Sequence, residues 1–293
     1  MSFEHSAVHT ESELRRMLRA ALVRATDEWQ MHAVGEPTYG WHDRSIGSAI
    51  QQSTGPRRWL RIVWARSEWA RGLWWTGNHD AADIEIDTKP SPLRAHEWVE
   101  GPLTFRAELM TWAHGEPCSA TPELRSAPHL DDVWWSALST SLATVATTQT
   151  TRMSLDPWNV RHRIAVFFGH EVDIDPSRWL SSHGDLHWNN LHRGPLAIVD
   201  WEAWGLAPRG YDAAFLLAHS LAVPAVAAEI IRTFRDDLDS QDGVTSQLYA
   251  FTKLLTRADG GEHAELIAPI HRRVDALLNR APHPRPLPSG ATP

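Results

Sequence analysis

Residues 179–212 read WLSSHGDLHWNNLHRGPLAIVDWEAWGLAPRGYD, and three polar residues within them decide the fold. Asp185 stands in His183-Gly184-Asp185, Asn190 follows five positions later, and Asp200 closes the apolar run Leu196-Ala197-Ile198-Val199. Arg193-Gly194-Pro195 is a natural tight turn between two short strands. Such a hairpin brings Asn190 and Asp200 together, and two oxygen donors at the ends of adjacent strands are what a hard cation such as Mg²⁺ takes. Asp185, on the preceding loop, is then placed to receive a hydroxyl proton beside that metal.

The spacing matches the catalytic loop of protein kinases, His-x-Asp-x-x-x-x-Asn followed by a metal-holding Asp. Gly184, His187, the run Asp200-Trp201-Glu202, and Pro208 and Asp212 in Ala207-Pro208-Arg209-Gly210-Tyr211-Asp212 narrow it further. The segment closely resembles the aminoglycoside phosphotransferase family of the kinase-like superfamily, strongly over residues 181–217 and loosely elsewhere. The resemblance implies an α+β, protein-kinase-like two-lobed fold, with a small antiparallel β-rich N-lobe and a larger helical C-lobe. It also implies ATP and Mg²⁺ in the cleft and γ-phosphoryl transfer to a hydroxyl of a small molecule. Asp185 is then the base or hydroxyl orienter, His183 a buttress of the catalytic loop, Asn190 and Asp200 the Mg²⁺ holders, and Asp212 a structural anchor.

The rest of the chain is compatible with two lobes. Leu14, Met17, Leu18, Ala21, Leu22 and Ala25 recur at helical spacing in an N-terminal helix. Extended runs follow over residues 45–50, 59–64, 94–98 and 103–112. After Ala113-His114-Gly115-Glu116-Pro117, helical patterning dominates near residues 131–148, 157–168, 211–221, 224–238, 246–256 and 264–278. We expect a nucleotide-binding lobe over residues 1–112, a catalytic and substrate lobe over 113–280, and a Pro-rich disordered tail over 281–293.

The N-terminal part departs from the kinase pattern. A Gly-rich phosphate loop and a lysine on the third strand are expected there. The nearest loop is Arg44-Ser45-Ile46-Gly47-Ser48, whose Ser45 and Gly47 read equally as a phosphate contact or a plain hairpin turn. Arg61 occupies the lysine position in Trp59–Trp64. The chain has only two lysines, Lys89 in a Pro-flanked loop and Lys253 in a late helix, and neither fits that strand. Arginine can pair with phosphate oxygens, but its planar head is not equivalent to an ammonium. Glu68 is the candidate for the helix glutamate. A nucleotide-binding pseudokinase with a regulatory role is therefore the alternative reading.

Other features are weighed against plainer ones. Trp188 reads as a substrate-stacking wall or as packing beneath the loop, and Glu202 as an acidic attraction for a cationic substrate. Asp236, Asp237, Asp239 and Asp242 read as a solvated helix end, and Cys118 as a small packing group. His183, His187 and His192 lack the spacing of a zinc helix motif. The net charge of −8 argues against nucleic acid and anionic membranes as partners. No apolar run approaches the length of a membrane span, and the start carries acid in place of an apolar signal core, so a cytoplasmic location is expected.

Overall fold

The computed structural model describes residues 11–52, 54–258 and 260–279. The proline-rich tail assigned to residues 281–293 lies outside them. The chain begins with α1 (Glu11–Glu28), β1 (His32–Tyr39), β2 (Ser45–Gln51), β3 (Arg58–Arg66), α2 (Leu73–Asp80), β4 (Pro92–Glu100) and β5 (Leu103–Thr111). It continues through β6 (Glu116–Pro117), α3 (Asp132–Thr147), α4 (Pro157–Phe168), β7 (Leu180–Ser182), β8 (Leu191–Arg193), β9 (Ala197–Ile198) and β10 (Gly205–Ala207). The remaining elements are α5 (Tyr211–Ala218), α6 (Pro224–Thr233), α7 (Arg235–Leu238), α8 (Gln241–Ala258) and α9 (Ile267–Leu278). No helix among the described residues is long and apolar enough to cross a membrane.

The first five strands form one antiparallel sheet in the order β1-β2-β3-β5-β4. Alternation along the strands gives it two different faces. Ile46, Ile50, Leu60, Ile62, Phe105, Ala107 and Leu109 pack with Leu18, Ala21, Leu22 and Ala25 of α1. The intervening positions put Arg61, Arg106 and Glu108 on the opposite face. Arg61 and Glu108 are directly opposed in the β3–β5 register, so their side chains meet on that face.

The helical part is organised around α5, every residue of which is buried. Tyr211, Phe215 and Ala218 face a core shared with α4, α8 and α9, whereas Ala213, Ala214, Leu216 and Leu217 join the core of α3 and α6. The periodicity over residues 224–238 resolves into two helices, α6 and α7. The link after β5 is tied to the hairpin: β6 pairs with β8, and Cys118 N–H donates to Leu191 O at 2.7 Å.

Helix α2 has no counterpart in the sequence reading. LWWTGNHD is short, contains Gly77, and lacks a helical apolar stripe, so propensity argues against it. Tertiary contact makes it: Trp201 N–H donates to Asn78 Oδ1 at 2.7 Å and Trp204 Nε1 to Gly77 O at 3.0 Å. A Cβ on Gly77 would collide with the Glu202 backbone. Helix propensity alone would make Gly77→Ala stabilising by about 1 kcal/mol. The backbone contact reverses the sign, and we expect a loss of roughly 1–3 kcal/mol in urea unfolding. A gain in stability would mean that α2 is not seated against residues 201–204.

Candidate active site

The loop after β7 is held from below by α5. Asp212 accepts from His183 N–H at 2.7 Å (Oδ2) and Gly184 N–H at 3.0 Å (Oδ1). Gly184 has φ +84°, and a Cβ there would meet the Ala203 carbonyl, so the turn requires glycine. His183 is fully buried. Its Nδ1 accepts from Asp185 N–H at 3.3 Å, which leaves Nε2 to donate to Val199 O at 3.0 Å. Burial keeps this imidazole below its ordinary pKa, and hence neutral, although Asp212 opposes the shift. One side chain thus ties Asp185 to the strand that delivers Asp200.

Asn190 Nδ2 donates to Asp185 O at 3.0 Å and lies 3.4 Å from His187 Nε2, which is 3.6 Å from Asp185 Oδ2. Burial opposes ionisation of Asp185, but His187 and Lys253 outweigh it and hold the carboxyl below its ordinary value. Asp200 follows β9 with φ +64°, a conformation Asp tolerates better than most residues. Its Oδ1 is buried without a hydrogen-bond partner, and its nearest cation is Arg61 Nη2 at 3.9 Å. Burial raises the Asp200 carboxyl, with Asp185 and Glu108 adding to the rise and Arg61 and Arg44 working against it.

Val199 N–H donates to Asn190 O at 2.9 Å, which brings the two segments side by side. An orphaned carboxylate oxygen and an Asn side-chain oxygen are donors a hard divalent cation takes, and the residues present fit one. Among the described residues, no three His, Cys, Asp or Glu side chains gather into a metal cage. Two protein ligands suit a cation that keeps water and takes phosphate oxygens, as Mg²⁺ does.

No family model and no curated protein matches the sequence. Solved structures match the fold. Amicoumacin kinase hAmiN, in complex with AMP-PNP, Ca²⁺ and Ami, is 13% identical; the match covers 94% of this chain and 97% of that one, with a TM-score of 0.58. Aminoglycoside phosphotransferase APH(4)-Ia is 13% identical over 89% of this chain and 98% of that one, with a TM-score of 0.55. Macrolide 2'-phosphotransferase MphH from Brachybacterium faecium is 14% identical over 90% and 99%, with a TM-score of 0.51. The chain has the kinase-like fold.

Within this kinase-like frame, several expectations are corrected. Ser45 and Gly47 lie in β2, not in a loop, and the Trp59 ring covers the place where a Gly47 side chain would stand. The turn between β1 and β2 is residues 40–44, shaped by positive φ at His42 and Asp43 and pinned by Arg15, whose Nε donates to Asp43 at 3.1 Å. Trp188 is fully buried, stacked on Trp134 at 6.2 Å, and its Nε1 donates to Ser220 Oγ at 2.7 Å; it is core, not a substrate wall. Glu202, expected to attract a cationic substrate, is paired with Arg61 Nη2 at 2.5 Å in this structure. Glu68 stands on the turn after β3, 63% exposed and 3.9 Å from Arg66, far from the role expected of it.

Arg61 is where the strand reading put it. Burial disfavours its charge, but Glu202, Asp200 and Glu108 raise the guanidinium above its ordinary pKa. Its Nη1 donates to Glu108 at 3.2 Å, and Asn78 of α2 shares that carboxylate at 3.1 Å. Glu108 and Asn78 therefore stand where a helix glutamate was sought. The alternation of β5, with an acid opposite Arg61, was the available signal for Glu108; nothing in the sequence marked Asn78.

Proposed function

We propose that the protein is an ATP- and Mg²⁺-dependent phosphotransferase acting on a hydroxyl of a small molecule. The observation that carries this reading is the anchored loop: Asp212, His183 and Asn190 fix Asp185 beside the buried, unpartnered oxygen of Asp200. Asn190 and Asp200 would hold Mg²⁺, which supplies charge neutralisation on the nucleotide phosphates when bound.

Asp185 orients the acceptor hydroxyl. A bond forms from that oxygen to the γ-phosphorus, the bond from phosphorus to the β,γ-bridging oxygen breaks, and the hydroxyl proton passes to Asp185. The depressed pKa of Asp185 suits a group that must be ionised to receive it. Arg61 is positioned to offset phosphate charge, as the lysine would, provided its guanidinium leaves Glu202.

One observation favours the pseudokinase reading: Arg61 already neutralises Glu108 and Glu202, and the Trp59 ring fills the sheet face over Gly47. Calorimetric titration with ATP, with and without Mg²⁺, tests the phosphotransferase reading. Metal-dependent binding is expected. Binding without turnover of any hydroxyl compound would favour the pseudokinase, and no binding at all would remove both readings.

A further inference from the structure

Helix α8 lies against α5, the helix that anchors the catalytic loop, and it presents two cations one turn apart. Lys253 Nζ donates to Tyr211 Oη at 3.2 Å and sits 4.6 Å from the centre of the Phe215 ring. Arg257 lies 5.2 Å over the ring of Trp41, which projects from the β1–β2 turn of the sheet. The two cations therefore bracket the space between the base of the catalytic loop and the tip of the sheet. Neither makes an ion pair with a carboxylate among the described residues. Arg163 of α4 adds a third positive charge on this flank, bonded to Thr252 Oγ1 at 3.1 Å.

A half-buried ammonium without a carboxylate partner is costly, and a Met or Leu would fill the same volume without that cost. The charge field supports a use for it. Burial lowers the Lys253 pKa, Asp185 raises it again, and Arg257 and Arg163 lower it further. Asp185 is the carboxylate that acts on Lys253 and on His187, and Lys253 in turn helps hold Asp185 ionised. A chain of net charge −8 has thus placed positive charge between Tyr211 and Phe215 of α5 and Trp41 of the sheet. A polycation would be repelled there, and an anion drawn in.

We propose that the acceptor is an anionic hydroxy compound, its carboxylate or phosphate seated on Lys253 and Arg257 while its hydroxyl faces Asp185. This rests on the phosphotransferase reading of the same site. Lys253 and Arg257 are then the residues that select the substrate by charge. The aminoglycoside and macrolide named for the structural neighbours belong to those proteins.

The test is acceptor binding to the Mg²⁺–AMP-PNP-loaded full chain by calorimetry. Glycerate and glucuronate serve as carboxylate probes, glycerophosphate as the phosphate probe, glucose as the neutral control and kanamycin as the cationic one. At least one anion should bind more tightly than glucose and kanamycin, and the better arm identifies the carboxylate or phosphate source. Lys253→Met and Arg257→Met should each weaken that anion by roughly 10–100-fold, the loss of a charge-assisted contact. With an acceptor that turns over, the effect of Arg257→Met should fall on KM more than on kcat.

Tighter binding of kanamycin than of every anion overturns the proposal, as does anion affinity unmoved by both substitutions or no anion binding to a nucleotide-loaded chain. Failure of AMP-PNP to load at all would instead strike the phosphotransferase reading. Two separate substitutions guard against one that fails to fold, which thermal unfolding would reveal.

Discussion

Asp185→Asn is expected to lower kcat by on the order of 10²–10⁴-fold while leaving Mg²⁺–ATP binding in place. The substitution keeps the side chain's shape and the backbone N–H that donates to His183 Nδ1, so the loop stays folded on Asp212. What it removes is the ionised oxygen that, on the proposed reading, receives the hydroxyl proton. Because burial opposes ionisation of this carboxyl and neighbouring His187 and Lys253 restore it, the site is built to keep the group charged. An Asn cannot substitute for that charge. Initial rates of ADP release across acceptor concentrations would measure the change; turnover equal to that of the unsubstituted protein would remove Asp185 from the role of base.

Asp200→Asn should abolish the Mg²⁺ dependence of nucleotide binding. Asparagine is chosen over alanine because position 200 has φ +64°, which Asn accepts at little cost and Ala does not. The fold should survive, since Arg61 retains Glu108 and Glu202 as partners. The buried Oδ1 loses its negative charge, and with it goes the only carboxylate of the proposed two-residue metal site. Calorimetry should show ATP affinity that no longer responds to Mg²⁺. A metal response of undiminished size would place the cation elsewhere.

The helical half of the fold was legible because the motif that marks it is local. Asp185, Asn190 and Asp200 fall within 16 residues of sequence, and the turn at Gly194 declares the hairpin that closes them. Asp212 was legible for the same reason. The sheet, α1 and most later helices followed from periodicities of two and 3.6. What escaped is non-local. Helix α2 exists because residues 201–204 supply its partners, and Glu108 acquires meaning only when β3 and β5 pair. Trp188 looked like a ligand wall from its place in the motif, yet three indoles packed together explain it better. Lys253 misses the strand position in sequence, and α8 carries it to the loop from 68 residues away.

Helix α2 belongs in chain order to the sheet but is fastened to the other half. Besides its bonds to Trp201 and Trp204, Arg152 Nη1 grips Asp80 at 2.6 Å and Nη2 donates to Leu73 O at 2.9 Å. Mechanically, α2 is a clamp: it is bonded to the helical half at both ends and to the sheet through Trp75–Glu97 at 2.9 Å and Asn78–Glu108 at 3.1 Å. The flexing seam then runs through the loops on either side of α2 as well as through the link after β5. A sheet that moved relative to α2 would part Arg61 from Glu202 and Glu108 from Asn78 together. On the proposed reading, the Arg61–Glu202 ion pair and the Asn78–Glu108 hydrogen bond are the two latches a nucleotide would have to release to leave.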